Sequence, residues 1–129
     1  MVVDSSAVIA ILLDEPEAVP FSVAIGRAAG ALISAASLLE CSMVMYRQGG
    51  ARGLDDLDDL LHDSRIRCVP VDVTQALAAR TAWVRFGKGN SPAGLNFGDC
   101  FSYALARTMD RPLLFKGGDF TRTDVRVAR

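Results

Sequence analysis

The chain is 129 residues long, 50% apolar and 22% charged, with a formal net charge of −1. That length suffices to close one hydrophobic core, and a chain so apolar and so nearly neutral is not disordered. The charge is unevenly spread, −7 over residues 1–64 and +6 over residues 65–129. Folding either gathers a basic surface able to attract a polyanion or interleaves the halves into a mixed, solvated one.

Met1–Asp4 reads as a short buried strand and Ser5–Leu13 as an apolar helix. Asp14-Glu15-Pro16 breaks that helix, because proline disfavours helical geometry in the residue before it. A second helix over Ala18–Ala29 ends at Gly30. Ala31–Ile33 follows as a strand, and Ala35–Gln48 as a helix stopped by Gly49-Gly50. Leu54, Leu57, Leu60 and Leu61 recur at helical spacing, with Asp55, Asp56, Asp58 and Asp59 outside the stripe. Arg67–Val71 is a strand, and Thr74–Phe86 a helix capped by Thr74. Gly87–Asn96 is rich in glycine and asparagine and reads as a loop. Gly98–Met109 is a helix, Leu113–Phe115 a strand, Lys116–Asp124 a loop and Val125–Val127 a last edge strand. Short apolar strands alternating with helices predict an α/β fold whose parallel sheet is covered on both faces. With no repeat and no linker, residues 1–129 are expected to form a single domain.

Cys41, Cys68 and Cys100 are odd in number and lie in apolar contexts, which predicts buried free thiols in a reducing cytosol. His62 is the sole histidine and no cysteine pair has zinc-ligand spacing. Ala28–Tyr46 carries a single charge, but an acid at mid-bilayer costs about 2.5–3.5 kcal/mol, so Glu40 argues against a membrane span. Met1-Val-Val-Asp lacks the basic start of a secretory signal. The expectation is a soluble, cytoplasmic protein.

The informative residues are acids in apolar company. Asp4 is the only charged side chain in residues 1–13, Glu40 in 28–46 and Asp99 in 89–106. A buried carboxylate demands a partner. Asp4 and Asp99 each precede a helical stretch and could be N-caps; Glu40 lies mid-helix and could pair with a buried arginine. Taken together, a different reading opens. Asp4 ends the first strand and Asp119 lies just beyond Leu113–Phe115, so both belong at the carboxyl edge of a parallel sheet, where ligands bind. Asp99 joins them if its helix runs antiparallel to the strands. Carboxylates converging there would repel one another unless a cation joined them, and an all-oxygen set suits Mg²⁺ or Mn²⁺. Such a centre hydrolyses phosphodiesters.

These residues match a known pattern. Val-Val-Asp-Ser-Ser-Ala at the start resembles the opening strand and turn of PIN-domain nucleases, and Leu38-Leu39-Glu40 the glutamate helix of that family. Pro92–Ala106 and Leu113–Phe120 are similar to the second half of a VapC toxin. The resemblance spans nearly the whole chain and implies a PIN-like three-layer sandwich with a short, mainly parallel central sheet. It implies Asp4 and Asp99 as principal Mg²⁺ (or Mn²⁺) ligands, with Glu40 and Asp119 completing a catalytic acidic pocket. Ser6 would hydrogen-bond the first aspartate, and Asn96 would lie near the pocket. The chain departs from the family in having Gly117-Gly118 before Asp119, where Gly-Asn or Gly-Asp is common.

The resemblance further implies an endoribonuclease toxin acting on structured RNA, tRNA or rRNA. Its implied partners are a VapB-type antitoxin and a second copy of the chain, as a homodimer or hetero-oligomer. Val8–Val23 and Leu54–Leu61 could supply the antitoxin groove or simply pack the core. Arg107, Arg111, Lys116, Arg122 and Arg126 could meet phosphates, as could the Gly87–Asn96 loop with Lys88. Two rival readings remain: a Mg²⁺-dependent phosphatase or phosphotransfer domain of the haloacid-dehalogenase or receiver kind, and a non-catalytic PIN-like RNA-binding module. The first usually wants a second aspartate two residues after the first, where this chain has Ser6.

Overall fold

The computed structural model describes residues 1–129. In chain order the elements are β1 (Val2–Val3), α1 (Ser5–Leu12), α2 (Ala18–Arg27), β2 (Ala31–Ser34), α3 (Ala35–Asp63), β3 (Ile66–Val69), α4 (Val73–Phe86), α5 (Phe97–Thr108) and β4 (Leu113–Leu114). The sheet has four strands in the order β3-β2-β1-β4, every pairing parallel. β1 is therefore central although very short, with Val2 in register with Leu32 on one side and Leu113 on the other.

Strand alternation sorts the core into two layers. Val3, Ile33 and Leu114 face one way and pack on Ala7 and Val8 of α1, Ile25 of α2, and Cys41, Met45 and Leu57 of α3. Val2, Leu32 and Leu113 face the other way, onto Ala79 and Ala82 of α4 and Tyr103, Ala104 and Leu105 of α5. The result is the expected three-layer α/β sandwich. No helix is long and apolar enough to cross a membrane.

Several local expectations shift. The α4 cap is Asp72, whose carboxylate accepts from the Gln75 N–H at 2.9 Å, and not Thr74. The helix thereby starts one residue earlier, since the aspartate acceptor reaches an otherwise orphaned donor. Val125–Val127 forms no strand; a single bridge joins Val127 to Leu113. Cys68 is exposed, whereas Cys41 and Cys100 are buried; β3 is a sheet edge with only one buried residue, Ile66. The leucine stripe at 54–61 serves the core: Leu57 is buried, and Leu60 and Leu61 pack beside it.

The anticipated break at Gly49-Gly50 is a kink inside α3, where Gly50 has φ 61° and ψ −141°. Side chains other than hydrogen are strongly disfavoured there. The chain doubles back so closely that a Cβ at Gly53 would collide with the Met45 carbonyl. Gly53→Ala should therefore lose about 1–3 kcal/mol of stability through overpacking. Gly26→Ala on α2, where a Cβ meets nothing, should gain up to about 1 kcal/mol from helix propensity. Urea titration of the two variants checks the contrast.

Candidate active site at the carboxyl edge of the sheet

The chain turns from β1 directly into α1 at Asp4, which is only 3% exposed. Its carboxylate caps α1, with Oδ2 accepting from the Ser6 N–H at 3.0 Å and from the Ser6 hydroxyl at 2.6 Å. Oδ1 accepts from the Ser102 hydroxyl at 2.5 Å. An ionised carboxylate offers about four acceptor sites. Three donors thus fix the group and leave room for one more partner.

Asp99 lies in the first turn of α5 and is 8% exposed. It is not the N-cap. Asn96 caps the helix, accepting from the Asp99 N–H at 2.8 Å, while Oδ2 of Asp99 accepts from the Asn96 N–H at 2.9 Å. This reciprocal capping box satisfies two helix-end donors and holds Asp99 rigidly. Only Oδ2 is used in it.

Glu40 projects from α3 toward the start of α5, so close that a Cβ at Gly98 would strike its carboxylate. Glycine at 98 is a condition for that approach. No arginine pairs with Glu40; its Oε1 is buried without a hydrogen-bond partner. Asp119 is exposed in the loop after β4. That loop is anchored by the buried Phe120, whose ring meets Phe115 at 5.0 Å between centroids. It is also tied to the first turn of α1 through the Lys116 N–H, which donates to the Ser6 hydroxyl at 3.0 Å. The Lys116 ammonium reaches Glu15 at 2.7 Å and Glu17 at 3.1 Å, clamping the loop to the α1–α2 connection.

The acids feel one another. Glu40 is pushed up to about 7, first by burial and then by the charges of Asp4 and Asp99. Asp99 is pushed up to about 6, chiefly by burial; the Asn96 N–H opposes this, while Asp4 and Asp119 add to it. All four predicted acids therefore converge on one edge, drawn from four parts of the chain. The residues fit a hard divalent cation: an orphaned buried oxygen on Glu40, an unused oxygen on Asp99 and a remaining acceptor site on Asp4 are all carboxylate. No three acidic, thiol or imidazole side chains stand close enough together to hold a metal ion by themselves. Mg²⁺ commonly keeps several waters and takes few protein ligands.

Sequence reasoning placed Ser6 and Asn96 beside the acids, where they are. It missed Ser102, Ser37 and Gly98. The signal for the serines was present, since two hydroxyls in otherwise apolar helical stretches need acceptors. Most of the cations offered for phosphate contact are engaged at the surface. Arg107 and Arg126 are engaged with Asp124 (4.0 Å) and Asp110 (2.8 Å), Lys116 with Glu15 and Glu17, and Arg122 donates to the Pro92 carbonyl at 3.3 Å. Lys88, named with the Gly87–Asn96 loop, and Arg80, which was not named, line a groove of about 570 Å³ between α4 and α5, with Trp83, Phe97 and Asn96.

A parallel sheet in this order with carboxylates at its carboxyl edge is compatible with the PIN class, and the PIN-domain family pattern matches residues 1–126. The chain is 49% identical to a Ribonuclease VapC of Mycolicibacterium smegmatis over 125 residues, covering 97% of each chain. It belongs to the VapC ribonuclease toxins of the PIN-domain family. Among solved structures, VapC20 of Mycobacterium tuberculosis, a toxin that cleaves the sarcin-ricin loop, superposes with a TM-score of 0.79 at 18% identity, covering 99% of this chain and 98% of that one. A toxin–antitoxin complex from Klebsiella pneumoniae superposes at 0.74 and 15% identity, covering 98% and 95%.

The raised acids make a pH prediction for the metal-free protein. Folded Glu40, near 7 against 4.5 when unperturbed, binds a proton that the unfolded chain has lost between those values. Its contribution to stability is fully present below pH 4.5 and is lost as pH rises through about 7. Glu40→Gln should therefore melt higher than the parent at pH 8, and the gap should close toward pH 4.5. Thermal melts in EDTA across that range check it.

Proposed function

We propose that the chain is a Mg²⁺- or Mn²⁺-dependent endoribonuclease that cuts structured cellular RNA, tRNA or rRNA, and is restrained by a VapB-type antitoxin. The observation that carries this reading is the convergence of Asp4, Glu40 and Asp99 on one edge with Oε1 of Glu40 buried and unpaired. Asp4 and Asp99 would hold the cation, their carboxylates already oriented by Ser6, Ser102 and Asn96. When bound, a divalent cation supplies an acidified water and neutralises charge on the phosphoryl oxygens. Glu40, poised near 7, is suited to accept a proton at Oε1, and Asp119 would add its charge beside Asp99 from the exposed loop.

The groove holding Arg80, Lys88, Trp83 and Phe97 adjoins Asn96 and offers charge for phosphates with aromatic faces for bases, which favours RNA as substrate. Partners of protein kind are supported by exposed apolar side chains at helical spacing, Leu39, Met43 and Tyr46 on α3 and Val73, Leu77 and Val84 on α4. One such face suits an antitoxin and the other a second copy of the chain. The toxin–antitoxin complex among the structural neighbours supports the first assignment.

Purified protein is expected to cleave RNA with Mg²⁺ or Mn²⁺ and to stop in excess EDTA. Asp4→Asn should lose more activity than the roughly 10–100-fold that removal of an outer-shell partner costs, and should no longer arrest growth when expressed. Undiminished cleavage in EDTA would refute the metal dependence. An Asp4→Asn variant as active as the parent would remove Asp4 from the site.

A further inference from the structure

Two buried serines outside the acid set are joined to it. Ser37 on α3 and Ser102 on α5 are both 0% exposed, and their hydroxyl oxygens are 3.1 Å apart. Each sits three residues from a cluster acid on its own helix, Ser37 before Glu40 and Ser102 after Asp99, so serine and acid share a helix face. Ser102 also reaches across to Asp4, donating to Oδ1 at 2.5 Å. The pair therefore joins α3 and α5 to the turn between β1 and α1.

Counting protons fixes the direction. A serine has one hydroxyl proton, and an ionised carboxylate can only accept, so the Ser102 proton is committed to Asp4. Ser37 must then donate to Ser102. Such a chain polarises along its length, each donor strengthening the next. The other oxygen of Asp4 is served in the same manner, with the Lys116 N–H donating to Ser6 and the Ser6 hydroxyl donating to Oδ2. Each Asp4 oxygen is thus held by a hydroxyl that is itself held by a second donor. Alanine at 37 and 102 would fill an apolar helix contact as well; the hydroxyls answer to the carboxylate.

We infer that Ser102, oriented by Ser37, is a positioning residue that locks the Asp4 carboxylate plane so that its remaining acceptor site faces Glu40 and Asp99. This role presupposes the divalent cation proposed above. Without Ser102, Oδ1 has no fixed partner, the Ser6 donors hold the carboxylate at Oδ2 alone, and the cation would meet a less ordered ligand.

Mn²⁺ binding to the metal-stripped full chain, read by electron paramagnetic resonance without RNA, tests this apart from activity. Ser102→Ala should weaken Mn²⁺ affinity by at least about 10-fold, as outer-shell partners of metal ligands do. Ser37→Ala, which leaves the last donor in place, should weaken it less. A purely structural role would shift the melting temperature and leave the affinity alone. Should Ser102→Ala fail to fold, Ser37→Ala carries the comparison, and an affinity equal to that of the parent overturns the relay. Equal Mn²⁺ affinity in the parent and in folded Ser102→Ala overturns the positioning role alone. No Mn²⁺ binding by the parent overturns the metal reading and this inference with it.

Discussion

Burial of Asp4, Glu40 and Asp99 together at one sheet edge, with their mutual repulsion added to it, is the constraint around which this structure is arranged. Like charges brought together away from water are costly, and the fold answers differently at each position. Asp4 is held by three donors, two of them hydroxyls. Asp99 shares a capping box with Asn96. Glu40 receives no donor at Oε1 and is pushed to about 7. The unequal treatment leaves negative charge at this edge that a divalent cation, as proposed above, would neutralise.

The architecture supplies the convergence. Because β1 is central and parallel to both neighbours, the turns that follow β1 and β4 emerge side by side, which brings Asp4 and Ser6 against Lys116 despite their distance in sequence. α3 and α5 then present Glu40 and Asp99 from opposite layers. Their approach depends on the missing side chain at Gly98 and on the serine bridge below it. Fold and site are one construction here: the residues that close the core between the layers also aim the carboxylates.

Much of this was legible in the residues. Alternating short apolar strands and helices gave the layered α/β class, and the solitary charges at Asp4, Glu40 and Asp99 marked the pocket, because an isolated acid in an apolar run must have a partner in space. Element ends were less readable. Asp72 rather than Thr74 caps α4, and Asn96 rather than Asp99 caps α5, since capping depends on which side chain reaches a free N–H within one turn. The basic half of the chain left its surface undecided. Net charge says nothing of pairing, and Arg107, Arg126 and Lys116 each meet a neighbouring acid. Gly98 was invisible, and the acceptor of Ser102 unreadable, because both depend on contacts between elements far apart in sequence.

The most direct measurement follows the Glu40 carboxyl by carbon-13 NMR across a pH titration, first in metal-free protein and then with saturating Mg²⁺. Crowded acids that await a cation predict a midpoint near 7 without metal, falling well below that when Mg²⁺ is added. A Glu40 that titrates like an ordinary exposed glutamate, and does not respond to Mg²⁺, would contradict the account at its root.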